Sequence, residues 1–321
     1  MKACEIKKVA CVGSGLIGSS WATNFAMKGY PVSIYDVKQK SLDDARDYIR
    51  ENLANLQKYH IITEQDAKKA ESLIKCTLDL EEAVKDVQFI QECGPENYEI
   101  KQKIFIEIEK YTPPDTIIAS STSGLLISEI AKYLKHPERC VGGHPFNPPH
   151  IIPLVEITKG EKSSKEVVEQ AYEFYKLLGK EPIIVQKESL GFIANRLQAA
   201  LYREEADLVM RGVCTVEDID KALMFGPGLR YALLGQNMIF QLGGGQHGIT
   251  GTCTHMNPSV EIWLADMAKW DKFPAGWIET AQAGVDAEMA NREPEFGRTN
   301  KEISEFRDRG LFELLKLHKK I

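Results

Sequence analysis

The chain has 321 residues, of which 43% are hydrophobic and 27% charged, and its formal net charge is −6. This length suffices for two ordinary domains of roughly 100–200 residues, and the composition is typical of a globular protein. The mild acidity argues against binding to nucleic acid or to an anionic membrane surface, and no apolar run approaches the roughly 18 residues that span a bilayer.

The first half of the chain alternates short β-rich runs with longer amphipathic segments, which predicts a parallel sheet with helices on both faces. Between the second and third runs apolar residues recur at helical spacing, and we expect the long connection of residues 41–86 to form a helical hairpin that stands off the sheet. The predicted strands are Val9–Val12, Val32–Tyr35, Val87–Ile90, Thr116–Ala119, Val141–His144, Leu154–Thr158 and Ile183–Val185.

After about Lys187 the strand signals stop and helix-like segments dominate, including Leu197–Met210 and a charged tail at Lys301–Lys319. We therefore expect an α/β chain with a doubly wound sheet in residues 1–188 and an all-helical domain in residues 189–321. The charges of the tail are typical of the solvated face of a helix.

The most informative motif follows the first predicted strand, where residues 13–18 read Gly-Ser-Gly-Leu-Ile-Gly. In such a turn the first glycine permits the tight bend, the second lets the backbone approach a pyrophosphate, and the third lets the helix pack on the strand. Free N–H groups at the helix start and the helix dipole stabilise the phosphate charge. The motif predicts a Rossmann-type domain whose dinucleotide is bound by Gly13, Gly15, Leu16, Ile17 and Gly18.

Asp36 ends the second predicted strand, about 20 residues after this turn. A carboxylate at this place accepts hydrogen bonds from a ribose diol and repels a 2′-phosphate, which selects NAD over NADP. A strand-end carboxylate that caps a turn is the alternative. We therefore take NAD as the predicted cofactor.

His144 ends the fifth predicted strand and is followed by the segment Pro-Phe-Asn-Pro-Pro at residues 145–149. Ligands bind at the carboxyl ends of parallel strands in such folds, and imidazole exchanges protons near neutral pH. His144 is therefore a candidate base for a hydroxyl proton, with a structural histidine as the alternative.

Three segments together resemble the 3-hydroxyacyl-CoA dehydrogenase superfamily. They are Gly143–Pro148 (GHPFNP), Pro153–Ile157 (PLVEI) and Gly191–Arg196 (GFIANR), and the resemblance covers residues 7–240 in the right order. It implies oxidation of a 3-hydroxyl group, in which NAD takes the hydride from C3 while a base takes the proton.

The resemblance implies four catalytic residues: His144, Glu156, Ser123 and Asn195. His144 would be the general base, and Glu156 would accept its other ring N–H and stabilise the imidazolium. Ser123 and Asn195 would hydrogen-bond the substrate oxygen. Each of these three partners has an alternative, which is a solvent-facing strand residue for Glu156, a helix cap for Ser123 and a polar junction residue for Asn195.

The resemblance also extends the cofactor site. Glu96 and Lys101 match positions that line the nicotinamide ribose, with an exposed pair within one helix as the alternative. Ser121 stands where the fatty-acyl members carry asparagine, and we include it among the expected cofactor contacts.

The residues of this chain that bear on the substrate differ from those of the fatty-acyl members of the superfamily. Those commonly have a second aromatic residue directly after the histidine, where this chain has Pro145, and they lack the segment Phe225–Ala232. This segment, followed by Gly243–Gly245, resembles the branch of lambda-crystallin/L-gulonate 3-dehydrogenase and, more closely, of bacterial L-carnitine dehydrogenases. We therefore expect a small L-3-hydroxy acid, carnitine- or gulonate-like, and L-3-hydroxyacyl-CoA (3-hydroxybutyryl-CoA) is the alternative.

Arg230 lies within this segment and is a candidate for holding a substrate carboxylate, because a planar guanidinium makes two parallel hydrogen bonds to it. A structural ion pair or a carbonyl cap is the alternative. Phe146 is a further candidate substrate contact, together with Ser123 and Asn195, since an aromatic face suits a trimethylammonium group. A plain core residue is the alternative for Phe146.

Other classes of protein are less compatible with these residues. A structural protein that keeps the fold, or a nucleotide-sensing module, needs no proton-transfer pair, so His144 with Glu156 favours an enzyme. The resemblance implies that the helical domain packs against a second copy, which predicts a homodimer.

The seven cysteines are scattered without a CxxC pair, which favours reduced thiols, a cytoplasmic location and no metal site.

Overall fold

The computed structural model describes residues 2–321, which form two compact units. The first unit runs to Arg196 and also includes Leu315–Ile321, and the second unit is Leu197–Leu314. The first unit contains a sheet, whereas the described secondary structure of the second unit is helical.

The first unit is built on one eight-stranded sheet. Its strands, in chain order, are β1 Val9–Val12, β2 Val32–Tyr35, β3 Ile74–Thr77, β4 Phe89–Glu92, β5 Ile117–Ser120, β6 Cys140–Pro145, β7 Leu154–Lys159 and β8 Glu181–Val185. Their order across the sheet is β3-β2-β1-β4-β5-β6-β7-β8. The chain therefore moves outward from β1 to β3 and returns to β4, which makes the carboxyl ends of β1 and β4 a topological switch point where ligands bind.

Helices of the first unit follow the strands and cover both faces. The turn after β1 leads into α1, and the connection from β2 to β3 contains a pair of helices, as the sequence predicts. These helices do not stand off the sheet, because Leu42 of the first helix and Ala67 of the second belong to the buried cluster that contains Val9 of β1. Their bounds are α1 Leu16–Met27, α2 Gln39–Lys58, α3 Glu64–Ser72, α4 Leu80–Val84, α5 Tyr98–Tyr111, α6 Ile127–Ile130 and α7 Lys165–Leu177.

The alternation of side chains along β1 creates a core on each face of the sheet. Val9 and Cys11 belong to one buried cluster, which also contains Phe25 of α1. Ala10 and Val12 point to the other face, where their cluster contains Phe105 of α5. This strand is buried on both faces and consequently reads as an uninterrupted apolar run, as is typical of a parallel sheet.

The structure differs from the sequence expectation at two places in this sheet. β6 and β7 pair antiparallel, with His144 opposite Glu156, because the eight-residue connection 146–153 is too short for a parallel crossover. The strand β3 was not expected at all. It is an edge strand of four residues, Ile-Lys-Cys-Thr, none of them fully buried, so its sequence carries little of the apolar signal of a core strand.

The second unit consists of helices that include most of α8, which begins at Ala194. Their bounds are α8 Ala194–Met210, α9 Val216–Leu223, α10 Leu229–Tyr231, α11 Gln236–Gly243, α12 Gly248–Asp266, α13 Trp277–Asn291 and α14 Asn300–Leu317. A π-helical segment, Met224–Gly228, precedes α10 and is bent at Gly226. Among residues 2–321, none of the helices combines the length and the apolar character needed to cross a membrane.

Candidate active site

The glycine turn lies between β1 and α1, at the switch point of the sheet. Gly13 has a positive φ of 103°, and a Cβ atom here would lie 2.7 Å from the carbonyl oxygen of Cys93, so only glycine fits. A Cβ on Gly18 would overlap the carbonyl oxygen of Gly13, which explains the third glycine as a close helix–strand contact. Gly15 instead has no atom within 4 Å of its Cβ position, so its backbone is open to a ligand.

The start of α1 has the properties of an anion site. The N-cap is Gly15, which offers no side-chain hydrogen bond, and the first turn contains no acidic residue. The N–H groups of this turn and the positive end of the helix dipole are therefore free for an anion such as a pyrophosphate. These residues fit the phosphates of a dinucleotide.

Asp36 lies directly after β2 and faces the same turn. One carboxylate oxygen, Oδ2, accepts hydrogen bonds from the backbone N–H and the hydroxyl of Ser14, at 3.0 and 2.9 Å. The other oxygen, Oδ1, accepts the N–H of Lys38 at 3.3 Å. The carboxylate is partly exposed, and it both braces the glycine turn and stands where a ribose diol is recognised in this type of fold.

His144 and Glu156 form a buried hydrogen-bonded pair across the antiparallel strands β6 and β7. Nδ1 of His144 lies 2.8 Å from Oε2 of Glu156, and the two residues are 4% and 0% exposed. In the neutral imidazole, a proton on Nδ1 that is donated to the carboxylate leaves Nε2 as the acceptor nitrogen. Nε2 has no hydrogen-bond partner within residues 2–321.

The second oxygen of Glu156 caps the start of α8. Oε1 accepts the backbone N–H groups of Ile193 and Ala194, at 2.9 and 3.0 Å. Burial raises the pKa of this carboxyl, but the bonds from His144, Ala194 and Ile193 outweigh burial and lower the pKa below its usual value. Glu156 is thus held as a carboxylate facing the imidazole, and the alternative of a solvent-facing strand residue does not apply to it.

Two aromatic rings fix the plane of the imidazole. The rings of Phe146 and Phe192 meet the His144 ring edge-on, with centroids 5.3 and 5.5 Å away. Phe192 is buried and has a φ of 50°, in the left-handed region that non-glycine residues seldom adopt. This conformation directs the backbone N–H groups of Ile193 and Ala194 toward Glu156. The strained backbone of Phe192 therefore helps to build the surroundings of the imidazole.

Ser123 and Asn195 are joined by one hydrogen bond. The amide Nδ2 of Asn195, at the start of α8, donates to the carbonyl oxygen of Ser123 at 2.9 Å. Ser123 is exposed in the loop after β5, and its hydroxyl makes no hydrogen bond within residues 2–321. Both residues therefore present polar groups on the first unit that a substrate oxygen can use.

Glu96 and Lys101 do not form an exposed intrahelical pair. Glu96 precedes α5, and its Oε1 accepts hydrogen bonds from the 122–124 segment. Lys101 is 1% exposed, and its ammonium donates to both oxygens of Glu92 and to the carbonyl of Gly94, each at 3.0 Å. A direct bond from Lys101 to a ribose would therefore replace one of these three.

Ser121 belongs to a network centred on Gln91, a residue that sequence reasoning missed. The buried Gln91 donates to the hydroxyl of Ser121 at 2.8 Å and to the carbonyl of Gly143 at 3.1 Å, and it accepts the hydroxyl of Tyr175 at 2.7 Å. It thereby holds β6 directly before His144. The Ser121 hydroxyl also lies 3.2 Å from the sulfur of Cys93.

Lys180 is a second residue near the site that the sequence analysis did not identify. Its ammonium donates to the carbonyl oxygens of Pro149 and Ile152, in the loop that carries Phe146, and lies 5.3 Å from the centre of the Trp21 ring. Burial, followed by the charge of Lys28, lowers the pKa of Lys180 to about 7. A buried lysine that braces a loop through carbonyl groups leaves no pattern in the sequence.

Arg230 is exposed on α10 of the second unit. All seven cysteines are free thiols. No group of histidine, cysteine, aspartate and glutamate side chains in the described part of the chain could hold a metal ion.

A glycine turn at the switch point of a doubly wound sheet, with an imidazole–carboxylate pair on a neighbouring strand of the same sheet, is what a nicotinamide-dependent dehydrogenase requires. The family comparisons agree with this class. A model of the 3-hydroxyacyl-CoA dehydrogenase NAD-binding domain matches residues 8–189, and a model of the C-terminal domain of the same family matches residues 191–280. The chain belongs to the 3-hydroxyacyl-CoA dehydrogenase family and is an NAD-dependent oxidoreductase acting on CH–OH groups.

Characterised relatives and solved structures refine this placement. The chain is 36% identical to an L-carnitine dehydrogenase of Streptomyces griseus, covering 97% of this chain and 90% of the relative. An L-carnitine dehydrogenase of Pseudomonas aeruginosa is also 36% identical, over 97% of this chain and 94% of the relative.

Among solved structures, 5-formyl-3-hydroxy-2-methylpyridine 4-carboxylic acid 5-dehydrogenase, described as an NAD+-dependent dismutase, is similar with a TM-score of 0.79 at 28% identity, covering 98% of both chains. The 3-hydroxybutyryl-CoA dehydrogenase of Escherichia coli K12 is similar with a TM-score of 0.69 at 28% identity, covering 88% of this chain and 57% of that one. These similarities confirm the predicted family and fold class.

Proposed function

We propose that this protein oxidises the 3-hydroxyl group of a small L-3-hydroxy acid, carnitine- or gulonate-like, to the 3-keto acid. The observation that supports this reaction is the His144–Glu156 pair, in which a buried carboxylate bonds Nδ1 while Nε2 has no partner among the described residues. A base of this kind, oriented by a carboxylate, suits removal of a hydroxyl proton.

In the proposed reaction each residue has one task. His144 accepts the hydroxyl proton at Nε2, and Glu156 stabilises the positive charge that the imidazole gains. The hydroxyl of Ser123 and the amide of Asn195 hydrogen-bond the substrate oxygen and hold it toward the base. NAD, when bound, supplies the acceptor for the hydride that leaves C3.

The proposed cofactor site is the glycine turn with its flanking residues. Gly13, Gly15 and Gly18, with the N–H groups of Leu16 and Ile17, would hold the pyrophosphate, because α1 begins there without a side-chain cap. The partly exposed carboxylate of Asp36 would bind the adenosine ribose. For the nicotinamide ribose we propose Oε2 of Glu96 as a direct contact, with Lys101 and Ser121 as supporting residues.

The substrate class is supported by the carnitine dehydrogenases among the relatives. Carnitine carries a carboxylate and a trimethylammonium group, for which we propose Arg230 and Phe146 respectively as contacts. A second candidate is an L-3-hydroxyacyl-CoA, because the similar Escherichia coli structure is a 3-hydroxybutyryl-CoA dehydrogenase.

A substrate panel distinguishes these candidates. We expect NAD-dependent formation of NADH with L-carnitine or L-gulonate, at a kcat/KM at least about tenfold above that for 3-hydroxybutyryl-CoA. Arg230→Met should raise KM for the free acid, and Arg230→Lys should restore only part of the affinity because lysine lacks the planar fork. Turnover of the thioester alone would replace the hydroxy-acid proposal with the acyl-CoA reaction and remove the proposed role of Arg230.

The second unit carries many exposed apolar side chains, among them Leu242, Ile262 and Ile278, which are 68%, 71% and 77% exposed. Apolar surface of this kind favours association, and we propose a homodimer, which mass measurement in solution tests.

The seven free thiols support a reducing compartment, and we propose the cytoplasm.

A further inference from the structure

The loop between β5 and α6, residues 121–126, is held almost entirely by the segment 92–98 and by its own side chains. Each of its six backbone N–H groups has an acceptor, although the loop is neither helix nor strand. Four of these bonds run from Ser121 to the carbonyl of Glu92 (2.7 Å), from Thr122 to the hydroxyl of Ser120 (3.3 Å), from Leu125 to the hydroxyl of Thr122 (2.9 Å) and from Leu126 to the hydroxyl of Tyr98 (3.1 Å).

One oxygen of Glu96 accepts the two remaining N–H groups. Oε1 lies 2.8 Å from the backbone nitrogen of Ser123 and 3.1 Å from that of Gly124. The hydroxyl of Thr122 donates to the same oxygen at 2.7 Å. Three donors on a charged oxygen make short, directional bonds, so this carboxylate fixes the backbone on both sides of the Ser123 side chain.

The carboxylate of Glu96 is itself held in place. Its other oxygen, Oε2, lies 3.8 Å from the ammonium of Lys101, which is buried and bonded to Glu92 and Gly94. Glu92 also accepts the hydroxyl of Ser120, at the end of β5, at 2.6 Å. One ammonium therefore lies between the carboxylates of Glu92 and Glu96, and this buried, hydrogen-bonded group supports the Glu96 side chain beside the loop.

The conformation of this loop affects two groups of the proposed reaction. It sets the position of the Ser123 hydroxyl, and its Ser123 carbonyl accepts the amide of Asn195 at 2.9 Å. A loop that moves by a fraction of an ångström would therefore displace both of the groups proposed to hold the substrate oxygen.

We propose that Glu96 is a positioning residue, which through Oε1 fixes the loop that presents Ser123 and orients Asn195. This role is separate from any contact that Oε2 makes with the cofactor. The inference rests on the proposed function, in which Ser123 and Asn195 hold the substrate oxygen.

The test compares four variants with the wild-type protein: Glu96→Ala, Glu96→Gln, Ser123→Ala and Glu99→Gln. Glu99 is an exposed residue in the first turn of α5 and serves as the matched control. For each protein we would measure kcat at saturating NAD, KM for the hydroxy acid, and the Kd of NADH by fluorescence titration.

We expect Glu96→Ala to lower kcat about 10- to 100-fold at saturating cofactor, because the loop loses three hydrogen bonds around Ser123. Glu96→Gln keeps an acceptor oxygen, so it should recover at least about a third of the wild-type kcat. The Kd of NADH should rise in Glu96→Ala, because this variant also loses the contact proposed between Oε2 and the nicotinamide ribose, and the fall in kcat should persist when NAD is saturating. Glu99→Gln should match the wild type in every measurement. If Glu96→Ala does not fold, Glu96→Asp retains the charge and draws the oxygen back from the loop, and its kcat should fall as well.

The inference is overturned if kcat of Glu96→Ala, or of Glu96→Asp where it replaces Ala, remains at the wild-type value at saturating NAD while only the Kd of NADH rises. That result would make Glu96 a cofactor contact alone. Ser123→Ala separates this outcome from a failure of the proposed function. An impaired Ser123→Ala beside an unimpaired Glu96 variant refutes only the positioning role, whereas an unimpaired Ser123→Ala refutes the proposed contact of Ser123 with the substrate oxygen.

Discussion

The first unit contains two buried pairs of a carboxylate and a base, and they differ in what is left unbonded. In the pair of Glu92 and Lys101, both residues are at most 1% exposed, and the three N–H bonds of the ammonium go to Glu92 and Gly94. In the pair of Glu156 and His144, the carboxylate is equally buried, but the imidazole retains one nitrogen without a partner within residues 2–321.

This difference distinguishes a pair suited to a structural role from a pair suited to the proposed proton transfer. Removing two charges from water costs free energy, and the ammonium of Lys101 and both oxygens of Glu92 have hydrogen-bond partners that reduce this cost. Burial still outweighs these bonds at Glu92 and raises the pKa of its carboxyl. The three N–H groups of the Lys101 ammonium are all bonded within the protein. The Glu92–Lys101 pair therefore holds β4, α5 and the loop after β5 together. The His144–Glu156 pair is complete on one side only, and the open nitrogen can take a proton from a ligand.

The largest expected effect comes from removing the open nitrogen. His144→Ala should lower kcat about 10⁴-fold, because no other base replaces the imidazole. NADH binding measured by fluorescence should stay within about threefold of the wild type, since the glycine turn is intact. His136→Ala is the control, because His136 is a partly exposed histidine beside Glu138. Near-normal turnover of His144→Ala would remove the proposed base.

Substitution in the Glu92–Lys101 pair should affect the stability of the fold more than the rate of the reaction. Lys101→Met leaves the carboxyl of Glu92 buried without its cation, and the free energy of unfolding should fall by about 3–5 kcal/mol. Urea denaturation followed by circular dichroism measures this change. Lys103→Met, at an exposed position of the same helix, should change the stability by less than about 0.5 kcal/mol. Equal effects of the two substitutions would show that the buried pair does not hold this region together.

Glu156→Gln tests the orienting carboxylate. The amide cannot stabilise an imidazolium as a carboxylate does, so kcat should fall about 10²- to 10³-fold with NADH binding retained. An unchanged kcat would contradict the proposed role of Glu156.

The same variant has a pH signature. The pKa of Glu156 is lowered in the folded protein, so the unfolded chain takes up this proton first as the pH falls. The stabilisation is complete above the unfolded pKa of about 4.3 and is lost as the pH falls through the folded value. The stability difference between the wild type and Glu156→Gln should therefore shrink below about pH 4.3, and a constant difference from pH 7 to pH 3 would contradict this assignment.

The smallest effect is expected at the cofactor turn. Asp36→Ala should raise KM for NAD about tenfold and narrow the preference for NAD over NADP, because the ribose diol loses an acceptor and the repulsion of a 2′-phosphate disappears. Steady-state kinetics with both cofactors measure the change. If the preference is unaltered, Asp36 serves only to brace Ser14.

Sequence patterns predict structural features that are formed by consecutive residues of the chain. The glycine turn follows β1 within six residues, so its strand, bend and helix could be predicted with their functional setting, and the family resemblance supplied the pairing of His144 with Glu156. The register that places these two residues opposite each other comes from the antiparallel pairing of β6 with β7, which the sequence expectation did not contain.

Three buried polar residues that bond across elements, Glu92, Gln91 and Lys180, could not be predicted from the sequence. Glu92 ends a strand reading Phe-Ile-Gln-Glu, where a carboxylate usually marks the exposed end of a strand. Its partner Lys101 lies on the next helix, and only the folded chain shows that both are buried. Gln91 and Lys180 are similar, because their partners lie 30 to 84 and 28 to 31 residues away, respectively.

The most direct test of the proposed base is a crystal structure of the dead-end complex with NADH and the hydroxy acid that gives the highest kcat/KM. The predicted result is a hydroxyl oxygen within about 2.6–3.2 Å of Nε2 of His144, with Nδ1 still bonded to Glu156. A bound substrate whose hydroxyl group lies out of reach of Nε2, both directly and through one water molecule, would contradict the role of His144 as the base.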